Sequence, residues 1–126
     1  RPGDWSSDVC SSDLSEIMNI IGDIKGKNCI ILDDMIDTAG TITNAANAIK
    51  DMGAKEVYAC ATHGVLSGPA IERLEKSAIK ELVILNTLPI PEEKKIDKMT
   101  ILSAAPIFAE TISRVYTHGS VSAMFN

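Results

Sequence analysis

The sequence predicts an α/β fold in which a mostly parallel sheet is flanked by helices. Short apolar runs alternate with stretches of helical periodicity, the pattern of strand–helix–strand units. One run, Cys29–Leu32, contains no polar residue, which is typical of a strand buried on both faces. The chain has 126 residues, of which 45% are hydrophobic and 4% aromatic. These values indicate a single domain with an aliphatic core.

The composition argues against several classes of partner. A net charge of −5 disfavours binding to nucleic acid or to an anionic membrane surface. No stretch approaches the roughly 20 consecutive apolar residues that a membrane span requires. No signal-peptide pattern opens the sequence. The default expectation is a cytoplasmic protein.

Residues 1–14 do not resemble the rest of the chain. They contain the only tryptophan, Trp5, and a near-duplication, SSDVC followed by SSDL. We expect this segment to be a foreign, artefactual or disordered leader. The folded domain is then expected to comprise residues 15–126, with a larger part missing upstream.

Four segments show apolar residues at helical spacing. The first begins at Ser15, and the second begins near Thr41 and ends at Gly53. The third and fourth open with Pro69 and Pro106, because proline suits the first turn of a helix. The predicted buried positions are Ile17, Ile20 and Ile21; Ile42, Ala45, Ala46, Ile49 and Met52; Ile71, Leu74 and Ala78; and Phe108, Ile112 and Val115.

Three more strands follow the Cys29–Leu32 run. They are predicted at Glu56–Thr62, Glu81–Leu85 and Met99–Leu102. His63 follows the first of these, and because no acidic partner lies near it in sequence, we interpret it as a loop-packing residue rather than a catalytic one.

Chemistry-bearing residues concentrate directly after Cys29–Leu32. Asp33 and Asp34 are expected to end the strand and lie at the open carboxyl edge of the sheet, where ligands of α/β proteins bind. The segment Asp37–Thr41 reads DTAGT and runs into a helix. Small residues and a helix amino terminus present backbone N–H groups to an anion. This loop therefore predicts a phosphate site.

The acidic residues must face another part of the ligand, since carboxylates repel phosphate. Vicinal hydroxyl groups or a bound Mg²⁺ would suit them. The sequence of this loop therefore predicts that it binds a sugar phosphate. The simpler alternative is a solvated strand end with Asp37 as a helix N-cap.

The stretch DDMIDTAGT, residues 33–41, resembles the phosphoribosyl pyrophosphate loop of the type I phosphoribosyltransferase fold. More narrowly, it resembles the ribose 5-phosphate loop of ribose-phosphate pyrophosphokinases. The resemblance extends over residues 15–126 and includes four further segments: Met18–Lys27, Ala61–Ala70, Asn86–Pro91 and Ser120–Phe125.

These enzymes transfer a diphosphoryl group from ATP to the anomeric hydroxyl of ribose 5-phosphate, with Mg²⁺. The resemblance implies that Asp33 and Asp34 hold the ribose hydroxyls, with Mg²⁺ contact as a further role. It implies that the 5-phosphate is wrapped by Asp37, Thr38, Ala39, Gly40 and Thr41.

In the same family the catalytic lysine and arginine lie on an upstream loop, and the ATP ligands come largely from an amino-terminal half. We therefore expect this chain to be a carboxyl-terminal part without catalytic residues, inactive alone. Family members form hexamers, and one class has an allosteric ADP or phosphate site. The resemblance places Ser120, Ser122 and Phe125 near that site; ordinary carboxyl-terminal packing is the alternative.

Two other functions share this loop. A nucleobase phosphoribosyltransferase would need a hood over the base, and no segment supplies one. A non-catalytic, synthetase-associated regulatory protein would be expected to have a degraded loop, whereas this loop is intact.

Overall fold

The computed structural model describes residues 9–13 and 23–125. In these ranges five strands form one parallel sheet in the order β1-β2-β3-β4-β5. The strands are β1 (Val9–Asp13), β2 (Asn28–Ile36), β3 (Glu56–Gly64), β4 (Ile79–Leu85) and β5 (Met99–Leu102). The α-helices are α1 (Gly40–Asp51), α2 (Ala70–Lys76) and α3 (Ala105–Tyr116), and short 3-10 turns occur at Glu92–Lys94 and Ser122–Phe125. The predicted α/β fold with a parallel sheet is confirmed.

The first predicted helix, which begins at Ser15, lies outside the described residues. Among the helices that are described, none is both long enough and apolar enough to cross a bilayer.

Strand β2 is longer than predicted. It continues past Leu32 to Ile36, so Asp33 and Asp34 lie within the strand rather than at its end. Asp33 is paired in register with Ala61 of β3. The prediction was wrong because strand pairing uses backbone groups, so acidic side chains do not stop it.

The core lies between the sheet and helices α1 and α2. Cys29 and Ile31 of β2 are buried, as are Val57 and Ala59 of β3. Leu32, the next residue of β2, is 52% exposed. Successive side chains of a strand point to opposite faces, so burial of Ile31 does not bury its neighbour. The expectation that this strand is buried on both faces is therefore wrong at Leu32.

The amphipathic prediction for α1 is largely confirmed. Its apolar stripe is buried, comprising Ile42, Ala45, Ala46 and Ile49. Met52 follows the helix and is half exposed. Gly53 ends the turn with φ +102° and donates its N–H to the carbonyl of Lys50 at 3.0 Å. In α2, Ala70 and Leu74 are buried.

Helix α3 differs from its prediction. None of its residues is buried. The predicted inner residues Phe108, Ile112 and Val115 are 59%, 68% and 63% exposed. Their helical spacing predicts an apolar stripe correctly, but a stripe does not specify which surface covers it.

Strand β1 lies within the segment that was expected to be a leader. It pairs in parallel with β2 from Val9 opposite Asn28 to Asp13 opposite Leu32. Sequence periodicity does not reveal such a strand, because an edge strand is held by backbone hydrogen bonds. The structure thus includes residues 9–13 in the sheet, although the expectation excluded residues 1–14 from the fold.

Candidate functional site

The loop that joins β2 to α1 lines a cleft of about 320 Å³. Its wall consists of the consecutive residues 33–42. All the predicted ligand-binding residues belong to it, namely Asp33, Asp34, Asp37, Thr38, Ala39, Gly40 and Thr41. Because β2 is parallel to its neighbours, the cleft lies at the carboxyl edge of the sheet.

The entry to α1 is a tight, uncapped turn. Ala39 has left-handed backbone angles, φ 64° and ψ 11°, and is the residue at the N-cap of α1. No side chain of the described residues caps this helix, and its first turn carries no acid. The first N–H groups of a helix have no partner within the helix. Here they are available to an anion at the positive end of the helix.

The two adjacent acids differ in environment. Asp33 is half-buried and Asp34 is exposed. The N–H of Asp34 donates to Oδ1 of Asp33 at 2.8 Å. Burial raises the pKa of the Asp33 carboxyl, and the side chain of Asp34 raises it further, which outweighs the opposite effect of the backbone N–H groups. The pair therefore presents acceptors for hydroxyl groups at the cleft wall.

Asp37 is held by the β3–α2 connection. The Ser67 hydroxyl donates to Oδ1 of Asp37, and the Ser67 N–H donates to the Asp37 carbonyl at 2.9 Å. Asp37 is thus anchored to Ser67 and is not the N-cap of α1. The alternative that assigned it that capping role is wrong, because the N-cap is Ala39.

Arg73 of α2 also reaches the loop. Its Nη1 donates to the carbonyl of Thr38 at 3.2 Å. The sequence did not indicate Ser67 or Arg73, since each is separated from its partner by 30 or more positions. In this region the sequence indicated only the start of a helix, at Pro69.

A magnesium ion fits the donor set at the acidic pair. Carboxylate oxygens are ligands that Mg²⁺ prefers, and it usually keeps several waters and binds substrate phosphates. Within residues 23–125 no group of three or more His, Cys, Asp or Glu side chains is placed to hold a metal. Asp33 and Asp34 would therefore supply only part of the coordination shell.

The predicted effector residues lie after α3. The hydroxyls of Ser120 and Ser122 are 3.1 Å apart, and Arg114 donates to the Ser120 carbonyl at 2.7 Å. The side chain of Phe125 is exposed. The structure brings the two serine hydroxyls together next to the Arg114–Glu110 ion pair.

His63 lies in β3 rather than after it. Its Nδ1 is 2.7 Å from the hydroxyl of Thr87, and that hydroxyl donates to the Thr62 carbonyl at 3.2 Å. His63 thus contacts Thr87 of the loop after β4, and its loop-packing role stays a prediction.

Curated relatives of the chain are ribose-phosphate pyrophosphokinases. The protein of that name from Clostridium perfringens is 63% identical over 114 residues, which are 90% of this chain and 36% of the relative. The one from Clostridium acetobutylicum is 66% identical over 112 residues, 89% of this chain and 35% of the relative. The chain therefore spans about a third of the length of these relatives.

A solved structure supports the fold. The phosphoribosylpyrophosphate synthetase from Mycobacterium smegmatis superposes with a TM-score of 0.79 at 40% sequence identity, covering 88% of this chain and 45% of that one. The family described as "Phosphoribosyl synthetase-associated domain" matches residues 9–126. Sequence and fold agree, and the chain belongs to this family.

Proposed function

We propose that this chain carries the ribose 5-phosphate-binding part of a ribose-phosphate diphosphokinase. The intact enzyme would convert ATP and ribose 5-phosphate to AMP and 5-phosphoribosyl 1-diphosphate, a step of nucleotide biosynthesis. One observation carries the proposal: an acidic pair and an uncapped helix entry line the same small cleft.

The loop separates two kinds of recognition. The 5-phosphate accepts hydrogen bonds from the backbone N–H groups and threonine hydroxyls of residues 37–41, near the positive end of α1. Asp33 and Asp34 accept hydrogen bonds from the ribose hydroxyls. Holding both ends of the sugar phosphate orients its anomeric hydroxyl toward the diphosphoryl donor, and positioning of this kind is a main contribution to phosphoryl transfer.

Mg²⁺ would be held partly by Asp33 and Asp34, and when bound it would neutralise phosphate charge. ATP would bind mostly to parts of the enzyme outside this chain. The intact protein would be a cytoplasmic homo-oligomer, and an ADP or phosphate effector would bind near Ser120, Ser122 and Phe125. Arg114 supplies a cation beside Ser120, and because the same guanidinium is ion-paired with Glu110 at 2.8 Å, an anion there would have to share it.

Direct titration with ribose 5-phosphate tests the proposal. Calorimetry should detect binding to the wild-type chain. Asp34→Asn and Thr41→Val should each weaken it by about 1–3 kcal/mol, the cost of a lost charged or buried hydrogen bond. Asp51→Asn is the matched control, since Asp51 is an exposed acid at the far end of α1. Equal affinity in wild type and both cleft variants would mean that the loop is vestigial, as in a regulatory protein.

Titration with a free nucleobase tests the alternative function of nucleobase phosphoribosyltransferase. A nucleobase phosphoribosyltransferase would also bind a purine or pyrimidine base. The diphosphokinase proposal predicts no calorimetric signal from free adenine, guanine or uracil. A saturable base signal would favour the transferase.

A further inference from the structure

Residues 37–41, here called the phosphate loop, accept hydrogen bonds from two residues of the β3–α2 unit, Ser67 and Arg73. The Ser67 N–H binds the Asp37 carbonyl at 2.9 Å, and Arg73 Nη1 binds the Thr38 carbonyl at 3.2 Å. Two consecutive peptide groups of the loop are thus fixed by hydrogen bonds to their carbonyl oxygens.

Fixing a carbonyl also fixes the N–H of the same peptide group. In a planar trans peptide the C=O and N–H vectors are roughly antiparallel. Because the Asp37 carbonyl faces Ser67, the Thr38 N–H is turned away from Ser67. Because the Thr38 carbonyl faces Arg73, the Ala39 N–H is turned away from α2. Both donors are therefore held in orientations that the loop alone does not impose.

Arg73 lies outside the ligand cleft. It lines a second, polar cleft of about 600 Å³ together with Asn44, Asn47 and Lys76, and three loop residues line both clefts, Thr38, Gly40 and Thr41. The first cleft is lined by residues 33–42 and does not include Arg73. The contact of Arg73 to the loop is the hydrogen bond to the Thr38 carbonyl, so we expect its contribution to ligand binding to pass through the loop.

The guanidinium packs closely on the loop beside a residue with left-handed backbone angles. A Cβ atom added to Gly40 would lie 3.0 Å from Arg73 Nη1, so the absence of a side chain at Gly40 makes room for it. The preceding residue, Ala39, has φ 64°, a left-handed conformation that is unfavourable for an L-residue with a side chain. Such a conformation persists when its surroundings hold it.

We propose that Arg73 is a positioning residue for phosphate recognition, which holds the Thr38–Ala39 peptide so that the Ala39 N–H faces the ligand cleft. This inference rests on the proposed ribose 5-phosphate site. It assigns to α2 a role in ligand binding that the loop sequence itself does not reveal.

Calorimetry with ribose 5-phosphate on the full 126-residue chain tests this role. Arg73→Met removes the hydrogen bond, and Lys76→Met is the matched control. Lys76 is a cation of the same helix and the same outer cleft, and its contact is an ion pair with Glu72 at 2.6 Å. Arg73→Met should weaken binding roughly tenfold, and Lys76→Met by less than about twofold. Arg73→Lys, which keeps a donor and the charge, should recover part of the loss.

An NMR measurement on the ligand-free chain isolates the positioning step. In Arg73→Met the amide resonance of Ala39 should move, with a matching increase in its hydrogen exchange, whereas Lys76→Met should leave it in place. Both side chains are exposed, so neither variant is expected to affect folding.

The outcomes separate the two proposals. If the wild-type chain binds ribose 5-phosphate and the two methionine variants bind it equally well, the role of Arg73 is refuted and the proposed function stands. If the Ala39 resonance is the same in all variants, the positioning role is likewise refuted. If the wild-type chain does not bind ribose 5-phosphate, both proposals are overturned.

Discussion

The adjacent acids Asp33 and Asp34, which both line the cleft, differ in burial. Asp33 is half-buried, and its pKa is raised mainly by burial and then by Asp34. Asp34 is exposed and donates its N–H to Asp33. A carboxylate that loses solvation without a cation nearby reduces the stability of the fold. We infer that ligand recognition is the reason for an acid at position 33.

Asp33→Asn should stabilise the free chain at neutral pH. The folded-state pKa lies above the unfolded value, so the folded state binds the proton more tightly. Above the folded pKa the ionised carboxylate therefore lowers stability, and below the unfolded pKa of about 4 this effect disappears. Asparagine keeps an acceptor for the Asp34 N–H without the charge.

Thermal unfolding at two pH values checks this prediction. The Asp33→Asn midpoint should exceed wild type by roughly 1–3 °C at pH 7 and match it near pH 3. Asp51→Asn serves as the exposed control. A gain that is equal at both pH values would show that the charge of Asp33 is not its cause.

Helices α1 and α3 have similar apolar patterns but different environments. The stripe of α1 packs against the sheet, and Ile49 is 1% exposed. In α3 the residue at the corresponding kind of position, Ile112, is 68% exposed. Equal patterning therefore corresponds to unequal contributions to stability in the described part of the chain.

Replacing each of these two isoleucines with alanine should show that the two helices contribute differently to the free energy of unfolding. Ile49→Ala should lower the free energy of unfolding by about 2–5 kcal/mol, because it removes a buried side chain and leaves a cavity. Ile112→Ala should change it by less than about 0.5 kcal/mol, since the side chain is already in water. Urea denaturation followed by circular dichroism measures both. A loss above about 2 kcal/mol in Ile112→Ala would mean that α3 is covered in solution.

At the scale of the whole molecule, the parallel sheet determines at which edge the cleft-lining loop lies. Five strands run in parallel within the described residues, so the carboxyl ends of β2, β3 and β4 share one edge. Ser67 follows β3 and meets Asp37 after β2. Asn86 follows β4, and its N–H binds the Leu102 carbonyl of β5 at 2.9 Å. The loops that follow β2, β3 and β4 therefore lie at one edge of the sheet, the edge at which open α/β sheets bind ligands.

The chain alone should not turn over ATP. It spans about a third of the length of the relatives it matches. The family resemblance implies that the catalytic lysine and arginine lie on a loop upstream of residues 15–126. Positioning of ribose 5-phosphate without those cations leaves the developing phosphate charge uncompensated.

Chromatographic detection of AMP checks this expectation. The chain would be incubated with ATP, Mg²⁺ and ribose 5-phosphate, and the Clostridium perfringens relative would serve as the active reference. AMP that depends on ribose 5-phosphate and is produced by the chain would contradict the prediction.

Local pattern was sufficient to predict several features of this protein. The α1 stripe and the Gly53 stop depend on short-range spacing. The acids, small residues and threonines that the sequence predicts as ligand-binding line one cleft, and their ligand stays a prediction. Parallel pairing followed from alternation of strands and helices.

Features that depend on distant partners were decided by the tertiary structure. The pairing of β1 with β2, the exposure of the α3 stripe and the extension of β2 through Asp33 and Asp34 depend on which surfaces meet. Ser67 and Arg73 join the loop across 30 and 35 positions. A sequence pattern specifies which groups need a partner, whereas the fold specifies which partner each group receives.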